Sequence, residues 1–445
     1  MQIYTTLITS LFLIILIISK GYKLPLQLFN FILYVYLAIL APGFWLDLGS
    51  FVGYAFTSAD VANCAEYLQL AFLISALIIY ILPVRNNLCI INADSQANSL
   101  PRYSNQFYFL VVSIITSSFF LVFLNQGFKG TLTKLLYQFT DFSVPLLALL
   151  LLSKHWKKFY FLMFLYSSFS IFTGFRYKLL FALIVVISYF ISTNKRFLTG
   201  KLSLSNFISF KYVLISPFFI AFVLFLSAMT TTRIKGDVNI FSNLFSAFNS
   251  VIVDNFSLLF SYSFFAESNI FIGLLVILNS SHNLLVNFPY LFDSLLSHFF
   301  VLIPSFLRFN FDYLALNKYV LSMFGTDQAL YSGTAFPYIG YLNLIFSPYL
   351  AIVIYLPIIF FALFYMNKAI YACLSRSGSF SLTSSRYLES RKYVDVRAYF
   401  TFVVSFSMIF LYLLMFRGYS PEVFKFMIVL LLGLFLSLST YRIKL

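Results

Sequence analysis

Long uninterrupted runs of hydrophobic residues dominate the chain, and short polar or basic stretches separate them. Many runs approach the length of about 20 residues that an α-helix needs to cross a bilayer. They do not alternate between polar and apolar residues as the strands of a membrane β-barrel do. The pattern predicts membrane-spanning helices at 4–19, 25–44, 63–82, 107–124, 135–152, 159–174, 177–193, 212–230, 337–366, 398–416 and 423–440.

The predicted fold is therefore an all-α polytopic membrane protein, a bundle of about eleven transmembrane helices within a range of about 10 to 14. The run at 337–366 is too long for one straight span. Because proline breaks the helical hydrogen-bond ladder, Pro348 is expected to divide this run into a short re-entrant or kinked piece and a spanning piece.

Composition excludes the soluble classes of protein. Hydrophobic residues make up 61% of the 445 residues and charged residues only 10%, whereas soluble domains carry about 25% charged residues. The net charge of +15 would indicate nucleic acid in a soluble protein. Here it is typical of basic cytoplasmic loops, so no nucleic-acid partner is expected. The three cysteines are widely separated and form no metal-binding or disulfide pattern, so no metal and no cofactor are expected.

The positions of lysine and arginine orient the helices, because these residues accumulate in cytoplasmic loops. With the spans above, most basic loops fall on one side, and the loop at 45–62, which has no Lys or Arg, faces outwards. No basic residue precedes the first run, so it is interpreted as a retained helix rather than a cleaved signal peptide. The predicted topology places the C-terminus on the cytoplasmic side.

Three regions follow from this layout: an N-terminal transmembrane bundle at 1–230, a large outer region at 231–336, and C-terminal helices at 337–445 with a basic cytoplasmic loop at 368–397. The semi-apolar stretches of the outer region are interrupted by charged residues. This mixture of apolar and charged residues predicts amphipathic helices lying on the membrane. A hairpin of two further spans is the alternative.

Several cations stand on the outer side, where the positive-inside rule predicts few. They lie near the outer ends of spans or amphipathic helices: Arg176, Arg233, Lys235, Arg308 and Arg417. Arginines at the membrane edge are costly, and a planar guanidinium suits the oxygens of a phosphate. The set therefore indicates an anionic ligand at the outer leaflet.

Each of these cations also has a simpler interpretation. A lysine or arginine near a helix end can snorkel to lipid headgroups as an anchor, and this is how Lys178 is interpreted. Arg417 can form a local ion pair with Glu422. Lys129 and Lys134 also fall outside in this layout, either as members of the set or as signs of a misplaced span.

Acids and histidines are rare, and four of them lie in the predicted outer region: Glu267, Asp293, His298 and Asp327. Each is a candidate general base. The alternative for each is a solvated polar position on a loop or an amphipathic helix.

Three stretches carry a resemblance to a known family. "FTGFRYKLLFALIVVISYF" resembles the Gly-x-Arg helix start of bacterial O-antigen and capsular repeat-unit polymerases, the Wzy class. "LIPSFLRFNFDY" resembles the Ile-Pro segment of their large external loop. "GTDQALYSGTAFPYIGYLNLIFSPYLAIVIYLPI" resembles their later block, where an outer loop leads through an aromatic-Gly turn into a long span.

The resemblance implies a GT-C-like membrane glycosyltransferase that polymerises undecaprenyl-pyrophosphate-linked oligosaccharides. Its partners would be these lipid-linked oligosaccharides, membrane lipid and a chain-length-determining co-polymerase. It implies that Arg176, Arg233 and Arg308 stabilise the leaving pyrophosphate. The expected substrate-binding residues are Lys235, Arg417, Tyr338, Tyr341 and Tyr313.

Two other functions remain open at this point. A lipid-linked oligosaccharide flippase would show two pseudo-symmetric halves, and the chain shows no internal repeat. An O-antigen ligase or a related polyprenyl-dependent glycosyltransferase would share the layout and differ in its acceptor.

Overall fold

Helices account for almost all of the described chain. The computed structural model describes residues 2–17, 23–43, 50–51, 54–82, 104–124, 131–173, 176–193, 270–279, 337–376, 396–416 and 420–439. Within these ranges the β-structure is one two-residue antiparallel ladder, Ser50–Phe51 with Tyr54–Ala55, in which Ser50 pairs with Ala55. The expectation of an α-helical protein is confirmed for this part of the chain.

The described helices are numbered here in chain order. They are α1 Gln2–Ile17, α2 Lys23–Gly43 with a π-helical segment at Val35–Leu40, α3 Ser58–Ile81, α4 Asn105–Leu124, α5 Thr131–Phe139, α6 Ser143–Leu152, α7 Trp156–Thr173, α8 Arg176–Thr193, α9 Ile270–Asn279, α10 Tyr338–Ile345, α11 Pro348–Arg376, α12 Val396–Phe416 and α13 Ser420–Leu438. A 3₁₀ turn, Thr140–Phe142, joins α5 to α6.

Apart from α9, which lies in none of them, the described helices overlap the predicted spans. The single span predicted at 135–152 is two helices, α5 and α6, joined by a 3₁₀ turn, and α11 continues past the predicted end at 366 to Arg376. The predicted span at 212–230 lies outside the described residues. By length and composition, five of the described helices are able to cross a membrane: Lys23–Gly43, Ser58–Ile81, Asn105–Leu124, Pro348–Ser375 and Arg397–Phe416. The chain is thus compatible with a helical membrane protein.

The predicted interruption at Pro348 is confirmed. Helix α10 ends at Ile345, Phe346 has an extended backbone, and α11 begins at Pro348. Proline suits the first helical position because its missing N–H has no helical partner there. The run 337–366 is therefore a short helix followed by a long one.

The chain divides into two compact units, each described by itself. One comprises Met1–Ile81, Ser203–Phe361 and Phe410–Lys425, and the other comprises Leu82–Leu202, Ala362–Ile409 and Phe426–Leu445. They are called the first and second unit below.

In the first unit, polar side chains connect α1, α2 and α3. Gln69 donates to Thr6 Oγ1 at 2.8 Å, Gln27 donates to the Ala76 carbonyl at 2.7 Å, and Asn30 donates to the Phe72 carbonyl at 3.1 Å. Helices in lipid gain little from hydrophobic burial against each other, so such interhelical hydrogen bonds help to hold them together. They fix the register of the three helices.

Helix α9 falls within the predicted outer region. Its residues are apolar and buried on every face from Ile270 to Ile277, and the Cys64 thiol of α3 contacts the Phe271 carbonyl at 3.8 Å. The rest of 231–336 lies outside the described residues, so the division into three regions stays a prediction.

In the second unit, α13 passes very close to the turn between α5 and α6. A Cβ placed on Gly433 would lie 2.9 Å from Pro145 Cγ and 3.4 Å from the Phe142 backbone. Ser192, near the end of α8, contacts Thr401 of α12 through their hydroxyl groups. The α5–α6 turn and α8 are the elements that carry the candidate site.

Candidate functional site

The second unit contains a fully buried ion pair between Asp141 and Lys178. Lys178 Nζ lies 2.6 Å from Asp141 Oδ1, and the side chains of Lys178 and Asp141 are 0% and 1% exposed. Removing two opposite charges from water is expensive, and the pair offsets this cost only when its geometry is good. Ionisable residues inside a predicted transmembrane bundle are rare and usually have a function. This pair is therefore the centre of the candidate site.

Neighbouring groups complete the coordination of both charges. Lys178 donates a second hydrogen bond to Thr140 Oγ1 at 2.7 Å, and Tyr166 donates to Asp141 Oδ1 at 2.9 Å. Asp141 Oδ1 thus accepts from an ammonium and a phenol. Asp141 Oδ2 accepts no hydrogen bond within the described residues. The carboxylate is held through one of its two oxygens.

Three tyrosine rings surround the Lys178 ammonium. Its Nζ lies 4.2 Å from the ring centroid of Tyr137, 5.3 Å from that of Tyr177 and 5.7 Å from that of Tyr166. The electron-rich face of an aromatic ring attracts a cation, most strongly where water is excluded. The hydroxyl groups of Tyr137 and Tyr177 share a hydrogen bond. The rings therefore stabilise the charged form of Lys178 together with Asp141.

Local sequence explains how the acid reaches the lysine. The 3₁₀ turn Thr140–Phe142 interrupts what would otherwise be a continuous apolar helix from α5 into α6, and it places Thr140 and Asp141 side by side. Ser143 donates to the Thr140 carbonyl at 2.6 Å, and Pro145 lies in the first turn of α6, where a missing N–H is tolerated. Lys178 is the third residue of α8.

The expectation that Lys178 is an interfacial anchor is wrong. An anchor keeps its ammonium in the headgroup region or in water, whereas this side chain is buried and paired with Asp141. The ion pair explains the buried position of Lys178 better than lipid contact does, because the negative charge of Asp141 offsets the cost of burying the ammonium.

Arg176, the main predicted ligand of pyrophosphate, is the first residue of α8. It thus stands at a helix N-terminus, two residues before the lysine of the buried pair. The other predicted cations and acids lie outside the described residues, so their roles stay predictions: Arg233, Lys235, Glu267, Asp293, His298, Arg308, Asp327 and Arg417. Tyr313 also lies outside them.

Two predicted substrate-binding tyrosines, Tyr338 and Tyr341, belong to the first unit. They are 3% and 1% exposed, and their ring centroids lie 5.7 Å apart. Tyr338 also lies 6.4 Å from the buried Tyr355 and 6.4 Å from Phe424. Both rings therefore pack inside the protein in this structure, and their contact with a glycan stays a prediction.

Beside these tyrosines, Tyr67 of α3 bridges the interruption between α10 and α11. Its hydroxyl lies 2.9 Å from Asn343 Oδ1 and 3.1 Å from the Pro348 carbonyl oxygen. Asn343 Nδ2 is buried and donates no hydrogen bond within the described residues. This group fixes the two pieces of the long run relative to α3.

Asp141 and its hydrogen-bond partners were not among the sequence-based candidates. Two features of the sequence could have pointed to them. Asp141 is the single carboxylate inside the apolar run 135–152, and Lys178 lies at the start of the span predicted at 177–193. Within the described residues, no group of three or more His, Cys, Asp or Glu side chains is arranged to hold a metal ion.

Comparisons with protein-family models, curated proteins and solved structures found no match to this chain.

Proposed function

We propose that this chain is a membrane glycosyltransferase that polymerises undecaprenyl-pyrophosphate-linked oligosaccharide repeat units into O-antigen or capsular polysaccharide. It acts at the outer face of the cytoplasmic membrane, with about eleven spans in a GT-C-like arrangement. A chain-length-determining co-polymerase is its proposed partner. The proposal rests on the resemblance of the three stretches described above and on the position of Arg176.

The observation that carries the proposal is the start of α8. Arg176 is its first residue, and its third residue, Lys178, is tied to Asp141. Backbone N–H groups at a helix N-terminus and the helix dipole favour an anion there. A guanidinium can add two parallel hydrogen bonds to phosphate oxygens. In the predicted topology this helix start faces outwards, where the lipid-linked substrates would be.

The proposed reaction needs stabilisation of negative charge. The hydroxyl oxygen of the acceptor unit attacks the anomeric carbon of the growing chain. The bond from that carbon to the pyrophosphate oxygen breaks, and its electron pair leaves with the polyprenyl pyrophosphate. Cations arranged in advance at the leaving group lower the barrier, because they need not reorganise as the charge develops. Arg176, Arg233 and Arg308 have this role in the proposal.

The hydroxyl proton passes to a base during the same step. Glu267, Asp293, His298 and Asp327 are the candidates for this base. Lys235, Arg417, Tyr313, Tyr338 and Tyr341 would bind the remaining parts of the substrates.

The test is a surface-polysaccharide gel of a strain from which the gene has been deleted. It is complemented with wild type, Arg176→Ala, Arg176→Lys or Lys157→Ala; Lys157 is an exposed residue of α7 and serves as the control. We expect wild type and Lys157→Ala to restore a ladder of long chains. Arg176→Ala should leave a core carrying one repeat unit, and Arg176→Lys should restore the ladder partly, because an ammonium lacks the two-pronged geometry. A ladder that persists in the deletion strain would refute polymerisation.

One observation also favours a second function, a lipid-linked oligosaccharide flippase. Buried acid–base pairs in membrane bundles occur along proton and substrate pathways, and Asp141 with Lys178 is such a pair. The same gel separates the alternatives. Loss of the flippase, or of an O-antigen ligase, would remove even the single repeat unit from the core, whereas loss of a polymerase would leave it.

A further inference from the structure

We propose that Asp141 is a positioning residue, which fixes the first turn of α8 through Lys178 and so sets the place of Arg176. The expected effect of Arg176 on activity rests on the proposed function. The expected effect of Asp141 on the position of Arg176 does not. Asp141 itself is buried and touches no substrate in this inference. It acts through the lysine.

The first turn of a helix is its least constrained part, because its N–H groups have no helical partners and helix ends fray. In α8 this turn is tied down by side chains instead. Lys178 Nζ reaches across to the 3₁₀ turn, where it bonds Asp141 at 2.6 Å and Thr140 at 2.7 Å. These two bonds join the start of α8 directly to the α5–α6 connection.

The residue between Arg176 and Lys178 is held as well. Tyr177 is 3% exposed, its hydroxyl bonds that of Tyr137, and its ring lies 5.3 Å from Phe426 of α13. Consecutive residues of the turn are therefore fixed from different directions. The backbone at Arg176 therefore adjoins two residues, Tyr177 and Lys178, whose side chains are both buried and hydrogen-bonded.

An apolar contact would hold the helix without the cost of burying two charges. Replacing a buried ion pair by well-packed apolar residues is often neutral or stabilising in other proteins. Directional bonds differ from apolar contacts because they specify one position and one rotation. Asp141 is itself oriented by Tyr166, which bonds the same Oδ1 atom. The ion pair therefore fixes the position of the first turn of α8 and adds little to the net stability of the fold.

The experiment measures the position of residue 176 without using activity. Arg176 is changed to Cys in a full-length chain whose Cys64, Cys89 and Cys373 are replaced by Ser. The rate of modification by a membrane-impermeant maleimide is measured on intact cells or spheroplasts. The rate is compared between the native pair and the double variant Asp141→Leu/Lys178→Met. Insertion and the melting temperature in detergent are measured for each chain.

A matched control disturbs the opposite end of the same helix. Ser192→Ala/Thr401→Val removes the buried hydroxyl contact between α8 and α12. A milder variant, Tyr166→Phe, removes only the hydroxyl that orients Asp141. It keeps the inference testable if the double variant does not fold.

We expect the Asp141→Leu/Lys178→Met chain to insert and to melt near the wild-type temperature. Its labelling rate at position 176 should change at least about threefold, since opening and displacement of a helix turn control access. Tyr166→Phe should change the rate in the same direction by a smaller factor, and the control pair should leave it unchanged. With Arg176 restored, the Asp141→Leu/Lys178→Met chain should give no long polysaccharide.

Labelling rates equal to wild type in both Asp141→Leu/Lys178→Met and Tyr166→Phe would overturn the inference. A wild-type ladder from a stable double variant would also overturn it, provided that Arg176→Ala abolishes the ladder. A changed rate together with an Arg176→Ala strain that still makes long chains would retain the positioning role and refute the role of Arg176 in the proposed function. The two ideas therefore fail through different measurements.

Discussion

Gly433 offers the sharpest test of how α13 packs on the turn that carries Asp141. A Cβ at this position would meet Pro145 Cγ at 2.9 Å and Phe142 Cδ1 at 3.0 Å, and the Phe142 Cα is 3.4 Å away. A proline ring and a main-chain atom cannot swing aside as the end of a flexible side chain does. Any side chain at 433 must therefore push the helices apart.

The magnitude follows from two opposing effects. Overpacking a tight site typically costs about 1–3 kcal/mol. Replacing glycine by alanine inside a helix gains about 0.5–1 kcal/mol. For Gly433→Ala we expect a net loss of about 1 kcal/mol in the free energy of unfolding. Gly433→Leu adds three more carbon atoms to the same space and should lose about 3 kcal/mol or more.

The assay is the apparent melting temperature of the purified chain in detergent. Gly43→Ala is the matched control, because within the described residues no atom beyond its immediate helix neighbours lies within 4 Å of a Cβ built there. We expect Gly43→Ala to melt at or above the wild-type temperature, Gly433→Ala slightly below it and Gly433→Leu far below it. If Gly433→Leu were as stable as Gly43→Ala, the close approach of α13 to the α5–α6 turn would be refuted.

Three further predictions concern single side chains. Lys178→Met should lower the free energy of unfolding by about 3–5 kcal/mol, because it leaves the Asp141 carboxylate buried without its cation; a chain that melts like wild type would contradict this. Tyr67→Phe removes the hydroxyl that bridges Asn343 and the Pro348 carbonyl, and should cost about 1–3 kcal/mol, measured in the same melting assay. Phe164 is 70% exposed on α7, as expected for a side chain that faces lipid. Phe164→Asp should reduce the inserted fraction of the chain, because the free energy of insertion becomes less favourable by about 3 kcal/mol. The control Phe164→Leu should insert normally.

The helical layout was largely predictable because its physical cause is local. A bilayer core excludes unpaired backbone groups, so every apolar run of sufficient length has to form a helix. This reasoning located most of the described helices and placed the break in the long run at Pro348. It did not foresee α9 or the division of 135–152 into two helices. Proline acts locally on the backbone, but its position alone does not decide the outcome, because Pro357 lies inside the continuous helix α11.

Tertiary arrangement was not predictable in the same way. Tyr338 and Tyr341 follow an outer loop in the sequence and have the composition of a glycan-stacking surface. Nothing in the order of residues reveals that Tyr338 packs near Tyr355, which lies in the next helix, α11. Burial of a ring is decided by other helices, and the sequence of one helix does not specify its neighbours.

The buried pair of Asp141 and Lys178 could be predicted in part. A carboxylate deep in an apolar run is costly unless a cation or a water-filled cavity accompanies it, so Asp141 within 135–152 implied a partner on another helix. In the predicted topology, Asp141 lies about 9 Å below the outer end of the span predicted at 135–152, at 1.5 Å per residue, and Lys178 lies just inside the outer end of its own span. The need for a partner was thus readable from the sequence. The choice of Lys178 over Arg176 was not, because it depends on which face of α8 turns towards α6. That rotation depends on the side chains of other helices, such as Tyr137 and Tyr166, which lie around the Lys178 ammonium.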